Sequence, residues 1–160
     1  MATNAEKALQ IFEKSIGNEE GVGDWHRVTQ EQINQFADAT LDHQFIHVDP
    51  EKSAQLSPYK VTIAHGFLTL SMVVHLGASI PRKDPEAYQG LVMGVNYGLD
   101  KVRFPNPVKV DSRIRARRQL LSAELKNPTT IQLKQLVTVE IEGEAKPGCA
   151  AEQLTRLIYA

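Results

Sequence analysis

Residues 64–80, AHGFLTLSMVVHLGASI, are the most informative part of the chain for its architecture. Apolar side chains lie on nearly every side of this segment when it is drawn as a helix, and Pro81 ends it. That pattern is typical of a helix surrounded by other structure rather than lying on a surface. The segment is shorter than the roughly 20 apolar residues that span a membrane, and it contains the polar residues Ser71 and His75. We therefore expect a buried core helix, with His75 hydrogen-bonded inside it.

Strand signals dominate the chain after this helix. Strands are predicted over residues 91–97, 101–104, 108–121, 130–142 and 149–158. Alternation is clearest in the fourth of these, where one face carries Ile131, Leu133, Val137, Val139 and Ile141. Turn residues at 127–128, 142–143 and 147–148 predict consecutive hairpins. One central helix followed by antiparallel strands favours an α+β fold, with a curved sheet wrapped around the helix.

The residues before the central helix predict two further helices. Leu9, Phe12 and Ile16 repeat at helical spacing, which predicts an amphipathic first helix over residues 5–16. A short strand is expected over residues 25–28.

The second helix should begin at Thr29, because Gln32 follows three residues later and completes a capping-box pattern. It should end near Leu41. Residues 42–59, which contain two prolines, are expected to be non-regular, and residues 82–89 to form a solvated connection.

The composition is that of an ordinary globular protein. The 160 residues are 42% hydrophobic and 23% charged, and we expect one domain over residues 1–160, with residues 1–17 as an N-terminal helical extension. A net charge of -1 provides no basic field for nucleic acid or an anionic membrane surface. Cys149 is the only cysteine, so no internal disulfide can form. Because residues 1–17 also lack the pattern of a secretory signal, we expect a cytoplasmic protein.

Titratable side chains cluster between two apolar helices. The segment from Asp42 to Asp49 contains these two carboxylates together with His43 and His47. Gly66 falls in the first turn of the central helix, where backbone N–H groups lack helical acceptors and can stabilise an oxyanion. These two segments form the candidate site.

The residues alone leave three interpretations of this cluster open. Asp42 and His47 can form an acid/base pair that polarises a water, with the Gly66 amide receiving the charge of a carbonyl oxygen. His43 and His47 can bind a metal with a neighbouring aspartate, although their four-residue spacing needs a helix that the adjacent residues do not support. In the third interpretation, Asp42 caps a turn and both histidines are exposed or paired locally.

Three ordered blocks carry a family resemblance. They read Asp-His-Gln-Phe-Ile-His-Val-Asp-Pro from Asp42, Ile-Ala-His-Gly-Phe from Ile63, and Asn-Tyr-Gly-Leu-Asp-Lys-Val-Arg-Phe-Pro from Asn96. In this order and at this spacing they resemble the MaoC-like, R-specific enoyl-CoA hydratase family, in the branch that contains NodN-like proteins. The resemblance covers the chain from Trp25 to its end. It implies a hotdog fold, which is an antiparallel sheet wrapped around one long helix.

The resemblance also assigns roles to residues. Asp42 and His47 take the positions of the catalytic pair, and Gly66 takes that of the oxyanion-hole glycine. Ser71 takes the position of a serine that supports the pair from the helix. Gln44 stands where many members of the family have asparagine, so it would have to hold the water with one more methylene.

Other residues near the blocks carry weaker expectations. Asn96, Tyr97 and Arg103 are expected near the substrate, whereas His65 is expected to take no direct part. Three alternating arginines share one strand face, which would meet either solvent or the phosphates of coenzyme A: Arg113, Arg115 and Arg117.

The implied activity is the addition of water to a trans-2-enoyl-CoA to give the (R)-3-hydroxyacyl-CoA, together with the reverse dehydration, without a metal or other cofactor. A homodimer is implied too, and the free edge of a single curved sheet favours it. Two alternatives stay open: a hotdog acyl-CoA thioesterase, and a non-catalytic module that binds acyl-CoA or a protein partner. Nucleic acid and membrane are not expected as partners.

Overall fold

The computed structural model describes all residues, Met1–Ala160. Its strands are β1 Glu19–Val22, β2 His26–Arg27, β3 Leu91–Arg103, β4 Arg113–Asn127, β5 Thr130–Ile141 and β6 Cys149–Tyr159. Its helices are α1 Asn4–Ser15, α2 Gln30–Thr40, α3 Phe45–Val48, α4 Pro50–Leu56, α5 Gly66–Ser71, α6 Val73–Ala78 and a 3-10 helix Pro85–Tyr88. The strands form one antiparallel sheet in the order β1-β4-β5-β6-β3, and β2 also pairs with β4. The sheet packs on α5 and α6, as expected of a hotdog fold.

The strand predictions are largely confirmed. The five apolar residues predicted for one face of β5 are all buried, and the residues predicted for the other face are half-buried. β3 is one strand rather than two, because it absorbs register shifts between Asn96 and Gly98 and between Asp100 and Arg103 instead of breaking. β4 begins later than predicted, since the residues before it form only the single bridge of Lys109 to Ile63. Strand β1 was missed by the sequence patterns.

The central helix differs from the prediction in two ways. It is interrupted at Met72, next to Ser71, whose hydroxyl donates a 2.7 Å hydrogen bond to the Phe67 carbonyl, a contact that bends helices. One face is also exposed, with Phe67 at 69% and Val74 at 55% exposure. The prediction for His75 is wrong, because its ring lies on this outer surface.

The segment predicted to be non-regular over residues 42–59 contains α3 and α4. Asp49 caps α4 by accepting a hydrogen bond from the Lys52 amide, and Pro50 occupies the first helical position, where proline favours a helix start. The helix ends at Leu56, before Pro58. The first proline therefore begins a helix instead of preventing one.

The capping box predicted at Thr29 is half formed. The Thr29 hydroxyl accepts from the Gln32 amide, but the Gln32 side chain reaches His26 instead of returning to the cap. A complete capping box lies at the start of α1, between Thr3 and Glu6.

Residues 82–89 are not only a solvated connection. Ala87 of the 3-10 helix is fully buried, and Tyr88 packs edge-on against Phe12 of α1 with the ring centroids 5.6 Å apart. This helix and α1 cover one end of the sheet. None of the helices in the chain combines the length and the apolar character needed to cross a membrane.

Candidate active site

His65 joins the two segments of the site. Its imidazole is only 3% exposed and lies between the ring of His47, stacked at a centroid distance of 3.8 Å, and the ring of Phe36, at 4.9 Å. Its Nε2 donates a 2.9 Å hydrogen bond to the Asp42 carbonyl oxygen. Since α5 begins at Gly66, the next residue, His65 holds Asp42 and His47 beside the start of the central helix.

The hydrogen bonds of His47 fix which of its nitrogens faces the site. Nδ1 lies 2.7 Å from the Ile63 carbonyl oxygen, which can only accept, so Nδ1 carries the proton and Nε2 keeps its lone pair. Burial lowers the pKa of His47 and the electrostatic interaction with His65 lowers it further, while the Ile63 hydrogen bond and Asp42 oppose this shift. A neutral imidazole with a free acceptor nitrogen results.

The position of His47 is set by its neighbours in the fold. Gln30 of α2 donates a 2.7 Å hydrogen bond to the His47 carbonyl oxygen, and the Thr62 hydroxyl donates to the side-chain oxygen of Gln30. The buried Ser53 of α4 donates to the Phe45 carbonyl oxygen at the start of α3. Helix α3 is therefore held from both sides.

Asp42 is the accessible partner. Its side chain is 53% exposed, one carboxylate oxygen lies 4.0 Å from His65 Nε2, and the other accepts a 3.3 Å hydrogen bond from the Gln44 amide. The Gln44 side chain is exposed and forms no hydrogen bond within the chain. The side-chain carboxamide of Gln44 is therefore exposed and free of partners, at the position where the resemblance implies a residue that holds the water.

The Gly66 amide is the candidate oxyanion donor. It opens α5, where the helix offers no acceptor, and no other group of the chain accepts from it. The backbone is closely approached there, because a Cβ at Gly66 would lie 2.9 Å from the Phe104 ring. Glycine thus keeps the amide accessible beside an aromatic wall.

Three side chains could hold a metal ion. One ligand atom each from Asp42, His47 and His65 lies within 4.8 Å of the other two. His65 Nε2 already donates to the Asp42 carbonyl, whereas His65 Nδ1 is buried without a hydrogen-bond partner.

His43, the other predicted ligand, points elsewhere. Its Nε2 lies 2.8 Å from the Asp38 carboxylate, and both side chains are exposed. The structure therefore does not bring His43 into the group formed by Asp42, His47 and His65.

The remaining predicted residues lie farther along the central helix or at its sides. Ser71 bonds to the Phe67 carbonyl and makes no hydrogen bond to the pair. Asn96 accepts from Gln153, and Tyr97 lies under the Arg156 guanidinium, 3.5 Å from its ring centroid. Both line a groove with Ser71.

Arg103 is exposed and bonds only to the adjacent Val102 carbonyl. The three alternating arginines form ion pairs on the sheet: Arg115 and Arg117 with Glu140 at 2.7 Å each, and Arg113 with Glu142 at 3.2 Å. Their charges are therefore neutralised within the chain.

Cys149 takes no part in the site. It is fully buried in the core, and burial raises the pKa of its thiol to about 11. A thiol held in its protonated form is a poor nucleophile.

Sequence reasoning missed the contribution of His65. The available signal was a histidine directly before a glycine at the start of an apolar helix, which places its ring at the helix entrance. Its contacts with Asp42 and His47 depend on a fold that brings residues 23 and 18 positions earlier beside it.

Comparisons with known proteins identify the family and the fold. The family model described as MaoC like domain matches residues 12–142. The chain is 47% identical to 3-hydroxyacyl-thioester dehydratase Z of Mycobacterium tuberculosis, over 90% of this chain and 91% of the relative. It is 45% identical to Nodulation protein N of Rhizobium leguminosarum bv. viciae, over 94% and 91%. Among solved structures, the unliganded R-hydratase PhaJ1 of Pseudomonas aeruginosa superposes with a TM-score of 0.70 and 19% identity, over 91% of this chain and 83% of that one, which confirms the hotdog fold.

Proposed function

This chain belongs to the MaoC-like dehydratase family, and we propose that it hydrates a trans-2-enoyl-CoA to the (R)-3-hydroxyacyl-CoA and catalyses the reverse reaction. Membership in the family makes it a hydro-lyase. The observation that carries the proposal is that the neutral His47 and the Asp42 carboxylate group around His65, the residue before the unpaired Gly66 amide. The 47% identity to a hydroxyacyl-thioester dehydratase supports the same chemistry.

The proposed reaction uses these three groups in sequence. Water lies between Asp42, which accepts a hydrogen bond from one O–H, and His47 Nε2, which takes the proton of the other. The hydroxide bonds to C3, and the electron pair of the double bond moves onto the thioester oxygen, where the Gly66 N–H stabilises it. His47 then returns the proton to C2, which restores the neutral imidazole. These steps use no metal, because His47 takes the proton of the water and the Gly66 N–H stabilises the charge on the thioester oxygen.

The assay that tests this proposal separates the three predicted activities. Purified protein is mixed with trans-2-enoyl-CoA of four to twelve carbons, and absorbance of the conjugated thioester, free thiol and the chirality of the product are measured. Hydration removes the absorbance without releasing thiol and gives the R product. Thiol release would instead indicate a thioesterase, and binding without either signal a non-catalytic module. Activity that is lost with EDTA and restored by zinc would show that a metal takes part.

We also propose that the protein is a homodimer. β3 is a 13-residue edge strand with a free edge, and its exposed side chains include Val92, Met93, Val95, Tyr97 and Leu99. The exposed face of the central helix adds Phe67 and Val74. A second copy would pair the two strand edges and bury this apolar surface.

The site of action we propose is the cytoplasm. Its support is the sequence observation that the single cysteine can form no internal disulfide. Coenzyme A thioesters as substrates fit the same compartment.

A further inference from the structure

The interior of the protein is divided into two hydrophobic clusters. One cluster of 15 buried residues surrounds the central helix and includes Ala116, Val137 and Ala151. The other, of 9 buried residues, lies under α1 and includes Leu120 and Leu157. Strands β4, β5 and β6 run through both clusters, so the boundary between them falls within these strands.

Polar side chains occupy that boundary on every strand. Between the clusters, the inward residues are Arg118 on β4, Gln135 on β5, and Gln153 and Thr155 on β6. Hydrogen bonds and strand pairing join five polar residues there: Glu20, Arg118, Gln135, Gln153 and Asn96. We call these five residues the polar row. Gln135 is 7% exposed and stands in the inward register of Leu133 and Val137. Polar residues there cost stability that apolar ones would not.

Hydrogen bonds connect the side chains of the polar row but leave several of their donors and acceptors without a partner in the chain. Arg118 Nε and Gln135 Nε2 both donate to the same Glu20 carboxylate oxygen, at 2.9 and 2.6 Å. Gln153 pairs with Gln135 across the strands and donates to Asn96 Oδ1 at 3.1 Å. The Arg118 Nη donors, the Asn96 amide donors and the side-chain oxygens of both glutamines have no partner in the chain.

The polar row faces a groove beside the central helix. A cavity of about 360 Å³ lies between the row and α6, with Val74 and Leu157 among its apolar walls. Gly77 of α6 makes room for the arginine, because a Cβ there would lie 3.2 Å from Arg118 Nη1. A second cavity of about 320 Å³ shares Val74 with the first and continues the groove to Ser71.

The groove runs along the central helix from Ser71, which lies five residues after Gly66, to the polar row. Gly77 lies eleven residues after Gly66, or about 16 Å along the helix at 1.5 Å per residue, and Val73 lies about 11 Å from Gly66. An extended chain advances about 1.2 Å per bond, so these distances correspond to roughly eight to thirteen bonds. A thioester carbonyl at Gly66 would place that part of its acyl chain at the row.

We propose that this groove binds the acyl chain, and that the polar row selects a chain bearing a hydroxyl group about eight to thirteen bonds from the thioester carbonyl. The inference rests on the proposed hydratase function. A hydroxyl both donates and accepts, so it can use the unpaired Arg118 or Asn96 donors together with a glutamine oxygen. A carboxylate fits less well, because Glu20 already supplies a negative charge to Arg118.

The test compares three substrates of equal length: trans-2-decenoyl-CoA, its 10-hydroxy derivative, and the derivative with a carboxylate at the far end. The hydroxylated chain should have a kcat/KM about tenfold higher than the unsubstituted chain. The hydroxyl group forms hydrogen bonds with the polar row, whereas the unsubstituted chain covers these polar groups and leaves them without partners. Equal or better turnover of the unsubstituted chain would overturn the proposal. Preference for the carboxylate would overturn the choice of hydroxyl.

Variants connect the preference to the polar row. Gln135→Leu and Gln153→Leu should each bring the ratio of the two kcat/KM values close to one. Gln153 does not contact Glu20, so its variant remains informative if Gln135→Leu fails to fold. The matched control is Gln132→Leu, on the opposite face of β5, which should keep the wild-type ratio.

A four-carbon enoyl-CoA separates the two proposals. This substrate is too short to reach the polar row, so its hydration tests only the catalytic groups. If neither this substrate nor any longer enoyl-CoA is hydrated, the proposed function fails, and calorimetric titration with saturated decanoyl-CoA and 10-hydroxydecanoyl-CoA then decides the inference. Tenfold tighter binding of the hydroxylated thioester would support the polar row as a selective subsite, and equal binding would reject it.

Discussion

The proton on His47 Nδ1 leaves its other nitrogen to react, which makes the pair sensitive to conservative substitutions. We predict that Asp42→Asn and His47→Gln each lower kcat by about 100- to 10,000-fold with little change in size, because the first removes the carboxylate charge that orients the water and the second removes the base that takes its proton. The kcat of the double variant should be only slightly lower than that of the less active single variant, since both groups act on one water. Steady-state kinetics and thermal unfolding check this.

His43→Gln is the control for these variants. His43 is exposed and bonds to Asp38, so its loss should change kcat by less than about threefold, within the range of surface substitutions. Equal damage from His43→Gln and His47→Gln, or normal turnover in Asp42→Asn with an intact fold, would show that the pair is wrongly assigned.

The pH dependence should reflect the lowered pKa of His47. Because the neutral imidazole is the base, kcat/KM should fall on the acid side only below the ordinary histidine pKa of about 6.5. His65→Gln keeps a donor for the Asp42 carbonyl but removes the imidazole whose electrostatic interaction lowers the pKa of His47, so the acid limb should move to higher pH. A pH profile of kcat/KM measures both. An unmoved limb in His65→Gln would show that His65 acts only through packing.

The sequence identified the candidate residues of the site better than the contacts that they make. Asp42 and His47 lie together and Gly66 begins the central helix, as expected, because each sits in a block of recognisable spacing. The role of His65 and the orientation of Ser71 were not predictable, since both depend on which neighbour the fold brings within hydrogen-bond distance.

Helix α4 stabilises the site from outside. Its cap Asp49 accepts from the Lys52 amide, and its Ser53 bonds to the first residue of α3. We predict that Asp49→Ala lowers the free energy of unfolding by about 1 kcal/mol, as typical for loss of a helix cap. Urea denaturation measures the change.

Asp49→Asn should retain most of this stability, because asparagine caps helices as well as aspartate does. If the asparagine and alanine variants lose stability equally, the charge of Asp49 rather than its cap hydrogen bond is responsible.

The helices that the sequence missed have a common cause. Helices α3 and α4 have four and seven residues, too short for a hydrophobic repeat to reveal them. The strands were better predicted because alternation needs few residues, as β5 illustrates. The partial exposure of the central helix was hidden, since an apolar face looks the same in sequence whether its own chain or a second copy covers it.

The exposed edge and helix face predict the assembly. We expect a solution mass near twice 17.8 kDa by light scattering at micromolar concentration. Val92→Lys should weaken the dimer, because it places a charge on the free edge of β3. The control Leu56→Lys alters an apolar side chain that is also exposed, at the end of α4, and should leave the mass unchanged. A fully active wild-type monomer would contradict the proposal.

We propose that residues 1–160 fold as one domain, with α1 as an integral part. Phe12 of α1 is buried against the same cluster as Leu120 and Leu157, and β4, β5 and β6 contribute inward side chains to both clusters. The sequence suggested an N-terminal extension because the family resemblance begins at Trp25, which says nothing about packing.

We expect the two hydrophobic clusters on either side of the polar row to differ in how readily they open. Proteins open locally in cooperative units whose free energies follow the amount of buried apolar contact. The cluster under α1 has 9 buried residues against 15 around the central helix, and few apolar contacts link the two across the row. Amide hydrogens of α1 and of the β5 end near Ile131 should therefore exchange with deuterium faster than those near Val137 and Val139. The part of the fold under α1, at one side of the polar row, can then open locally while the part around the central helix keeps its structure.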